Sequence, residues 1–200
     1  IPFELFEGET LHPPGSLRTR AGTPYGVFTP FSRAFAAEAR IEAPLAAPAR
    51  LPPLPLDIEI ESVAIPTCQE LGIRQNPALL PGGEAAAQGR LARFLAGPAQ
   101  HYDMTRDRLD LPGSSRLSQD LKFGTLSPRA LWHATTRALE GSAPGALRTF
   151  RNELVWREFS HSTLWDHPHV LERPFRSTWR DFPWRADDTA WSAWTRGMTG

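Results

Sequence analysis

The sequence predicts a mainly α-helical domain that follows a proline-rich connector and the end of an α/β unit. Apolar residues recur at helical spacing from residue 83 onward. Eight prolines between residues 41 and 83 stop any long regular element there. The aromatic and β-branched run at residues 25–31 predicts the end of a strand, followed by a helix over residues 32–39. We therefore assign residues 1–40 to the end of an α/β domain, residues 41–83 to an interdomain linker and residues 84–200 to the helical domain.

Helix limits in the last part of the chain follow from glycine, proline and capping residues. Gly83 precedes the first helix and Gly97-Pro98 ends it. Ser127 is an N-cap followed by Pro128 at the first helical position. Helices are predicted over residues 84–96, 128–139, 147–164 and 187–196. The linker is expected to pack rather than hang loose, because it holds several apolar side chains: Leu51, Leu54, Leu56, Ile58 and Ile60.

Composition excludes several classes of protein. The formal net charge is zero, which argues against an unstructured basic tail but allows a local basic groove. Cys68 is the only cysteine, so an internal disulfide framework and a cysteine metal cluster are excluded and a cytoplasmic location is expected. The sequence shows no transmembrane run and no signal peptide. Because it starts with isoleucine and stops at Gly200, we expect an internal fragment of a longer protein.

One predicted helix carries an unusual polar face. Glu153, Trp156, Arg157 and Ser160 are spaced three and four residues apart and share one side of the helix. An indole among charged side chains indicates a surface that receives a flat polar ligand. The alternative is a Glu153–Arg157 ion pair on an ordinary helix, with Trp156 half-buried.

A serine-rich loop at residues 113–118 lies in front of a predicted helix start. Its hydroxyls and backbone N–H groups suit a phosphate or pyrophosphate, although a loop that merely caps its own helix remains an alternative. The histidines show no convincing metal spacing, and His167-x-His169 lacks a supporting carboxylate or cysteine. A chain rich in tryptophan and arginine but poor in acid–base groups fits a cofactor that carries its own chemistry.

Four motifs follow one another along the chain. They are Y-x-V-F-T-P-F at residues 25–31, S-R-L-S followed by L-S-P-R at residues 115–129, N-E-L-x-W-R-E-F at residues 152–159, and W-x-x-G-x-T-G at residues 194–200. In this order they resemble the DNA photolyase/cryptochrome family, and in particular its class I cyclobutane pyrimidine dimer photolyases. The resemblance implies the end of a Rossmann-like antenna domain followed by the amino-terminal half of a helical domain that binds FAD.

The resemblance implies roles for individual residues. Contacts to FAD are implied for Tyr102, Ser114, Ser115, Arg116, Leu117, Ser118, Phe150 and Arg157. Arg106 matches a contact to the DNA backbone. A surface that faces DNA is implied for Glu153, Leu154, Val155, Trp156, Arg157, Glu158, Phe159 and Ser160, with Glu153 and Trp156 touching the pyrimidine dimer. Trp184 matches the outer member of the tryptophan chain that reduces the flavin, with a packing role as its alternative.

The implied function is that of a deoxyribodipyrimidine photolyase, in which light-driven electron transfer from reduced FAD splits cyclobutane pyrimidine dimers in DNA. The alternatives are a cryptochrome-type blue-light receptor without repair activity and a helical interaction protein without a cofactor. The resemblance further implies a second antenna chromophore of folate or deazaflavin type, UV-damaged DNA as the partner, a monomer, and no metal or membrane. By itself the fragment is expected to be inactive.

Overall fold

The computed structural model describes residues 8–53, 62–74, 76–139 and 144–199. Within these ranges the chain forms helices and no β-strand, which confirms the prediction of a mainly α fold. The α-helices are α1 (Phe28–Glu38), α2 (Glu84–Ala96), α3 (Tyr102–Thr105), α4 (Ser118–Lys122), α5 (Pro128–Leu139), α6 (Pro144–Asp166) and α7 (Asp188–Thr195). Short 3-10 helices span Pro98–His101, Pro168–Leu171 and Ser177–Trp179.

Helix α1 begins earlier than the sequence predicts. It starts at Phe28, so residues 25–27 form no strand, and the predicted strand end is wrong. Pro30 is tolerated in the first turn of the helix, because the N–H groups of that turn have no intrahelical acceptor. The backbone N–H of Phe31 donates to the carbonyl of Val27 at 3.5 Å. The proline that suggested a strand end therefore lies inside a helix start.

Helices α2 and α5 have the limits that the sequence predicts. Helix α2 follows Gly83, whose φ of 93° lies in the region that favours glycine, and ends before Gly97. Helix α5 begins at Pro128, and the carbonyl of Ser127 accepts a hydrogen bond from the N–H of Leu131 at 3.0 Å. The hydroxyl of Ser127 also accepts from the N–H of Ala130 at 3.5 Å, the interaction expected of an N-cap.

Helix α6 is the centre of the fold. Its 23 residues contact α1, α3, α5 and the 3-10 helices at residues 98–101 and 168–171. It is longer than predicted, because it begins at Pro144, where a first turn accepts proline, and continues to Asp166. Leu147, Phe150 and Leu154 are each no more than 5% exposed and form its core-facing stripe. The packing of the other elements on α6 therefore decides where their side chains lie.

Aromatic side chains fix the neighbouring helices against α6. The ring centroids of Phe94 on α2 and Phe150 are 4.6 Å apart, and those of Phe31 on α1 and Phe159 are 5.2 Å apart. Both pairs are tilted rather than stacked face to face, as the ring quadrupoles favour. Helices α1 and α2 thus pack on different parts of α6.

The described part of the linker is exposed. Leu51, Val63 and Ile65 are 74%, 93% and 93% exposed, so the expectation of a packed linker is wrong for the residues that the structure describes. An extended segment buries side chains only against a neighbouring surface, and the described residues supply none there. Leu54, Leu56, Ile58 and Ile60 lie outside the described residues. In the described part of the chain, no helix has the length and apolar character that a membrane crossing requires.

Candidate functional site

A cavity of about 440 Å³ opens between α6 and the segment that runs from α3 to α4. Its wall joins stretches that are far apart in the sequence. Several of the predicted site residues line it: Tyr102, Ser115, Leu117, Ser118, Phe150, Glu153, Leu154 and Arg157. The structure therefore brings most of the predicted cofactor contacts to one place, although they come from separate helices and a loop.

The serine-rich loop divides between two surfaces. Ser115 and Ser118 line the cavity, and Leu117 also reaches its wall although it is only 1% exposed. Ser114 and Arg116 instead line a neighbouring pocket, which Ser115 also touches. Arg116 has a φ of 53°, a left-handed conformation that is uncommon outside glycine. Two of the predicted contacts thus lie on the second pocket rather than on the main cavity.

A buried ion pair anchors α4 and this loop to α2. Arg90 donates from Nε to Asp120 Oδ2 at 2.9 Å and from Nη2 to Oδ1 at 2.5 Å. The side chains are 6% and 2% exposed. Hydrogen bonds from Arg90 hold the pKa of Asp120 below its ordinary value. Thr125 Oγ1 also donates to Asp120 Oδ1, at 3.0 Å, so the carboxylate is well satisfied and α4 is held in place.

The change Gly113→Ala is expected to displace the serine loop. A Cβ at this buried position would lie 2.6 Å from Thr105 Cβ and 2.7 Å from the Thr105 carbonyl oxygen. Because overpacking of this kind costs about 1–3 kcal/mol, we expect a fall of about 2 kcal/mol in the free energy of unfolding, measured by denaturant titration. In the matched control Gly89→Ala, the Cβ would meet only the end of Arg93 at 3.5 Å. Equal destabilisation by both changes would contradict the expected clash.

Aromatic rings form one side of the cavity. The rings of Tyr102 and Phe150 meet edge to face at 5.2 Å, and Tyr102 is held in the same way by Phe94 at 5.9 Å. Burial raises the pKa of the Tyr102 hydroxyl, so the group stays neutral at physiological pH. Tyr102 can therefore offer a neutral hydroxyl and an apolar ring edge to a flat ligand.

The two charged residues of α6 that line the cavity have separate partners. Arg106 Nη1 donates to Glu153 Oε1. Arg157 Nη1 donates to the backbone carbonyl of Glu9 at 2.5 Å and lies 3.4 Å from Glu158 Oε1. The Glu153–Arg157 ion pair considered from the sequence is thus replaced by two longer-range contacts. The predicted phosphate contact Arg106 is held beside the cavity by Glu153.

Trp156 does not line the cavity and packs instead on α1. Its ring stacks face to face on Phe28, with centroids 3.6 Å apart and an angle of 5° between the rings. The side chain is 42% exposed. Trp156 therefore presents part of its ring to solvent while Phe28 supports the other face.

Eight consecutive residues of a helix cannot line one surface, because each residue turns about 100° from the last. Val155 is 8% exposed and lines a pocket on another side of α6, and Glu158 is 3% exposed. Phe159 packs on Phe31. These three side chains are therefore packed against other parts of the chain, and their predicted place on the surface that faces DNA stays a prediction. Ser160 is exposed, and its hydroxyl donates to the carbonyl of Trp156 at 3.0 Å.

Comparison with known proteins identifies the family. Residues 1–52 match the family model described as DNA photolyase, and residues 150–200 match the one described as FAD binding domain of DNA photolyase. The chain is also 35% identical to the deoxyribodipyrimidine photo-lyase of Agrobacterium fabrum over 199 residues, which are 98% of this chain and 41% of the relative. The chain belongs to the DNA photolyase family.

Solved photolyase and cryptochrome structures share this fold. A bacterial class III photolyase from Agrobacterium tumefaciens superposes with a TM-score of 0.78 at 32% identity, over 98% of this chain and 41% of that protein. A cryptochrome from Synechocystis sp. PCC6803 gives a TM-score of 0.78 at 25% identity, over 96% of this chain and 41% of that protein. The chain thus spans about 41% of the length of these relatives.

The donors on the cavity wall fit the photolyase cofactor. The family match confirms the sequence prediction of FAD. Ser115 and Ser118 bring hydroxyls, and Lys122 and Arg157 bring positive charges, which are groups that bind phosphate oxygens. Tyr102 and its aromatic neighbour bring ring edges for an apolar ring system. Polar and aromatic groups are thus both present on one wall.

Trp184 does not line the cavity. It is 77% exposed, and its ring centroid lies 4.6 Å from that of Phe182. Phe182 in turn lies 5.6 Å from Trp179. The structure therefore shows Trp184 in an exposed aromatic row, which agrees with an outer position, while its role in electron transfer stays a prediction.

Six residues of the candidate site were not predicted from the sequence: Glu9, Leu121, Lys122, Leu131 and His161 line the cavity, and Phe28 supports Trp156. His161 could have been found, because it lies four and eight residues after two predicted site residues on the same face of α6. Burial lowers the pKa of His161, which favours its neutral form. Glu9 and Phe28 carry no such spacing signal, since they reach α6 from the other end of the chain. Among the described residues, no group of three or more histidine, cysteine or acidic side chains could hold a metal ion.

Proposed function

We propose that the full-length protein, defined as the longest open reading frame that contains this chain, is a deoxyribodipyrimidine photolyase that repairs cyclobutane pyrimidine dimers. One observation carries the proposal: the hydroxyl and aromatic groups of Tyr102, Ser115, Ser118 and Phe150 share a cavity with Glu153 of α6. Reduced FAD, when bound, supplies the electron for light-driven splitting of the dimer. The name of the Agrobacterium fabrum relative supports the same activity.

The cofactor side of the cavity is proposed to bind FAD. The residues that would hold it are Tyr102, Ser115, Leu117, Ser118, Phe150 and Arg157. Ser115 and Ser118 would donate to phosphate oxygens, and the Arg157 guanidinium would add positive charge. The acidic residues on the same wall are Glu153 and Glu9. Ser114 and Arg116 stay predicted contacts of the same cofactor from the adjoining pocket.

The lesion is proposed to meet α6 at Glu153 and Trp156. A damaged, poorly stacked base pair is flipped out of the duplex at lower cost than an intact one. A DNA phosphate competes with Glu153 for Arg106, because both are anionic acceptors for the same guanidinium. The freed carboxylate can then accept a hydrogen bond from a pyrimidine N–H. The exposed part of the Trp156 ring, supported by Phe28, offers an apolar surface to the dimer.

The deciding experiment is repair of an oligonucleotide that contains one thymine dimer. The full-length protein, purified with its flavin and fully reduced, is illuminated with blue light, and loss of the dimer is followed by chromatography. We expect repair in the light and none in the dark. No repair with the flavin fully reduced would refute the proposal, and absence of any flavin absorption band in the purified protein would favour the helical interaction protein.

A cryptochrome-type receptor is the second candidate. The cryptochrome from Synechocystis superposes as well as the class III photolyase does, with the same TM-score. The presence of both Glu153 and Trp156 favours repair, because one supplies a hydrogen-bond acceptor and the other an apolar surface for a pyrimidine dimer. Bound flavin with light-dependent changes in protein partners but without dimer repair would favour the receptor.

The change Trp156→Ala is expected to weaken binding to dimer-containing DNA about tenfold or more, because one base–aromatic contact is worth about 1–3 kcal/mol. Binding to undamaged duplex should change little, since an unflipped base does not reach the ring. Fluorescence anisotropy with the two duplexes at one salt concentration measures both. The control Trp191→Ala removes an exposed tryptophan of α7 that no predicted site contact involves. An equal loss on damaged and undamaged DNA would contradict the assigned role.

Several further properties of the full-length protein are proposed from the sequence. We retain the α/β antenna domain, the linker and the helical domain with limits near residues 40 and 83. We also retain a monomeric state and a cytoplasmic location, and the free thiol of Cys68 fits the reducing cytoplasm. Trp184 is proposed as the outer electron carrier, and a folate or deazaflavin antenna as the second chromophore.

A further inference from the structure

The segment of residues 9–18 lies against the second half of α6 and is held there by polar contacts at several points. The Glu9 carbonyl accepts from Arg157 Nη1 at 2.5 Å. Further along the segment, Arg18 Nη1 lies 2.8 Å from Asp166 Oδ1. Leu11 and Leu17, at 2% and 6% exposed, bury the apolar side of the segment. This segment is therefore packed on α6.

Glu158 supplies the central contact of this docking. Its Oε2 accepts hydrogen bonds from the backbone N–H groups of Leu11 at 2.8 Å and His12 at 3.2 Å. The side chain is 3% exposed, and nothing in the proposed chemistry uses it. A buried carboxylate is costly unless hydrogen-bond donors satisfy it, and here two backbone N–H groups donate to the same oxygen. The side chain thus fixes where residues 11 and 12 lie relative to α6.

The same contacts determine the surroundings of Arg157. Its guanidinium is held between the Glu9 carbonyl and Glu158 Oε1, which lies 3.4 Å away. Arg157 and Glu9 both line the cavity. Because Glu9 is only two residues from Leu11, any shift of Leu11 moves the carbonyl that orients the guanidinium. Glu158, which is buried and does not line the cavity, therefore controls the position of the Arg157 charge, which does.

We propose that Glu158 is a positioning residue for the cofactor site: it locks residues 11 and 12 on α6 and thereby holds the Arg157 guanidinium at the cavity wall. The inference rests on the proposed binding of FAD in this cavity. It gives Glu158 a role in the site, although this residue makes no contact with the ligand. It also assigns a role to residues 9–12. These residues couple the beginning of the chain to the cofactor cavity.

The contacts farther along the segment make the effect of Glu158 local. The Arg18–Asp166 ion pair and the close approach of Gly15 to Trp165 involve neither Glu158 nor Arg157. A Cβ on Gly15, whose φ is 72°, would lie 2.5 Å from Trp165 Cδ1, so the segment fits tightly there. Loss of the Glu158 contacts should therefore release residues 9–12 without undocking residues 15–18.

The test compares Glu158→Met with Glu158→Gln in the full-length protein from which flavin has been removed. Methionine keeps the length of the side chain but accepts no hydrogen bond, whereas glutamine keeps a carbonyl oxygen for Leu11 and His12 and gives up only the 3.4 Å contact of Oε1 with Arg157. FAD affinity is measured by quenching of FAD fluorescence. We expect Glu158→Met to bind FAD about tenfold more weakly and Glu158→Gln to stay within about twofold of wild type. Glu38→Met, an exposed change on α1, is the control.

A double-mutant cycle separates positioning from general destabilisation. If Glu158 acts through Arg157, the loss caused by Glu158→Met disappears when Arg157→Ala is already present. An unchanged tenfold loss in the Arg157→Ala background would overturn the inference, as would wild-type affinity in Glu158→Met. If the wild-type protein shows no saturable FAD binding, the proposed function itself fails and this inference fails with it.

Discussion

Replacing Asp120 by asparagine is expected to lower the free energy of unfolding by about 3 kcal/mol, the range seen when one partner of a buried ion pair is removed. The Asp120 side chain is 2% exposed and accepts two hydrogen bonds from Arg90. Asparagine replaces one of the two carboxylate oxygens by an NH2 group. This group is a donor and cannot accept a hydrogen bond from the Arg90 guanidinium. The charge of Arg90 then stays buried without a counter-ion, because the remaining hydrogen bond of its Nη1 goes to the neutral carbonyl of Pro81.

Denaturant unfolding near neutral pH measures this effect. The matched control is Asp110→Asn, which breaks the Arg108–Asp110 pair on the surface, where the side chains are 58% and 62% exposed. We expect no measurable change in this control, since exposed pairs are weak. The double change Arg90→Met with Asp120→Leu should lose less stability than Asp120→Asn, because it leaves no buried charge unpaired. If Asp120→Asn and Asp110→Asn behave alike, the pair does not anchor α4.

The pH dependence of this contribution follows from the lowered pKa of Asp120. The stabilisation is present above the ordinary pKa of an aspartate and is lost as the pH falls through the lower value of the folded protein. The wild-type protein should therefore lose stability in strong acid, and Asp120→Asn should lose less, because the asparagine has no proton to gain.

The helix limits that could be predicted from the sequence depend on local chemistry. Gly83 and Gly97 bracket α2, and Ser127 with Pro128 opens α5, because these residues act on the backbone of their immediate neighbours. Asp187 caps α7 in the same way, accepting from the N–H of Ala190 at 2.9 Å. Pro30 was ambiguous, since proline is compatible both with a strand end and with the first turn of a helix.

The partners of the site residues could not be predicted by the same reasoning. Glu153 pairs with Arg106, 47 positions away, and not with Arg157, which lies one turn further along the same helix. Trp156 stacks on Phe28 of α1. Helical spacing shows which residues share a face, but the packing of other elements on α6 decides which of them reach the cavity. The family motifs located most of the cavity residues, while contacts from residues 9–12 had no sequence signal.

The change Glu158→Gln is expected to stabilise the protein at pH 8 and to leave its stability nearly unchanged at pH 5. Burial raises the pKa of Glu158 from its ordinary value of 4.5 to about 7, against the opposing effects of the N–H groups of Leu11 and His12 and of Arg157. Between these two values the unfolded chain releases the proton while the folded protein retains it. The contribution of Glu158 to the free energy of unfolding therefore falls as the pH rises through this window.

A shift of this size corresponds to about 3 kcal/mol at pH 8, where the wild-type side chain is ionised in both states and its burial is most costly. Glutamine carries no charge, so it avoids this cost while its carbonyl still accepts from the backbone of residues 11 and 12. Denaturant unfolding of both proteins at pH 5 and pH 8 measures the difference, with the exposed change Glu38→Gln as the control. A stability difference that is the same at both pH values would show that Glu158 does not titrate between them. If the stabilised variant also keeps wild-type FAD affinity, hydrogen-bond acceptance by this side chain, and not its charge, is what positions Arg157.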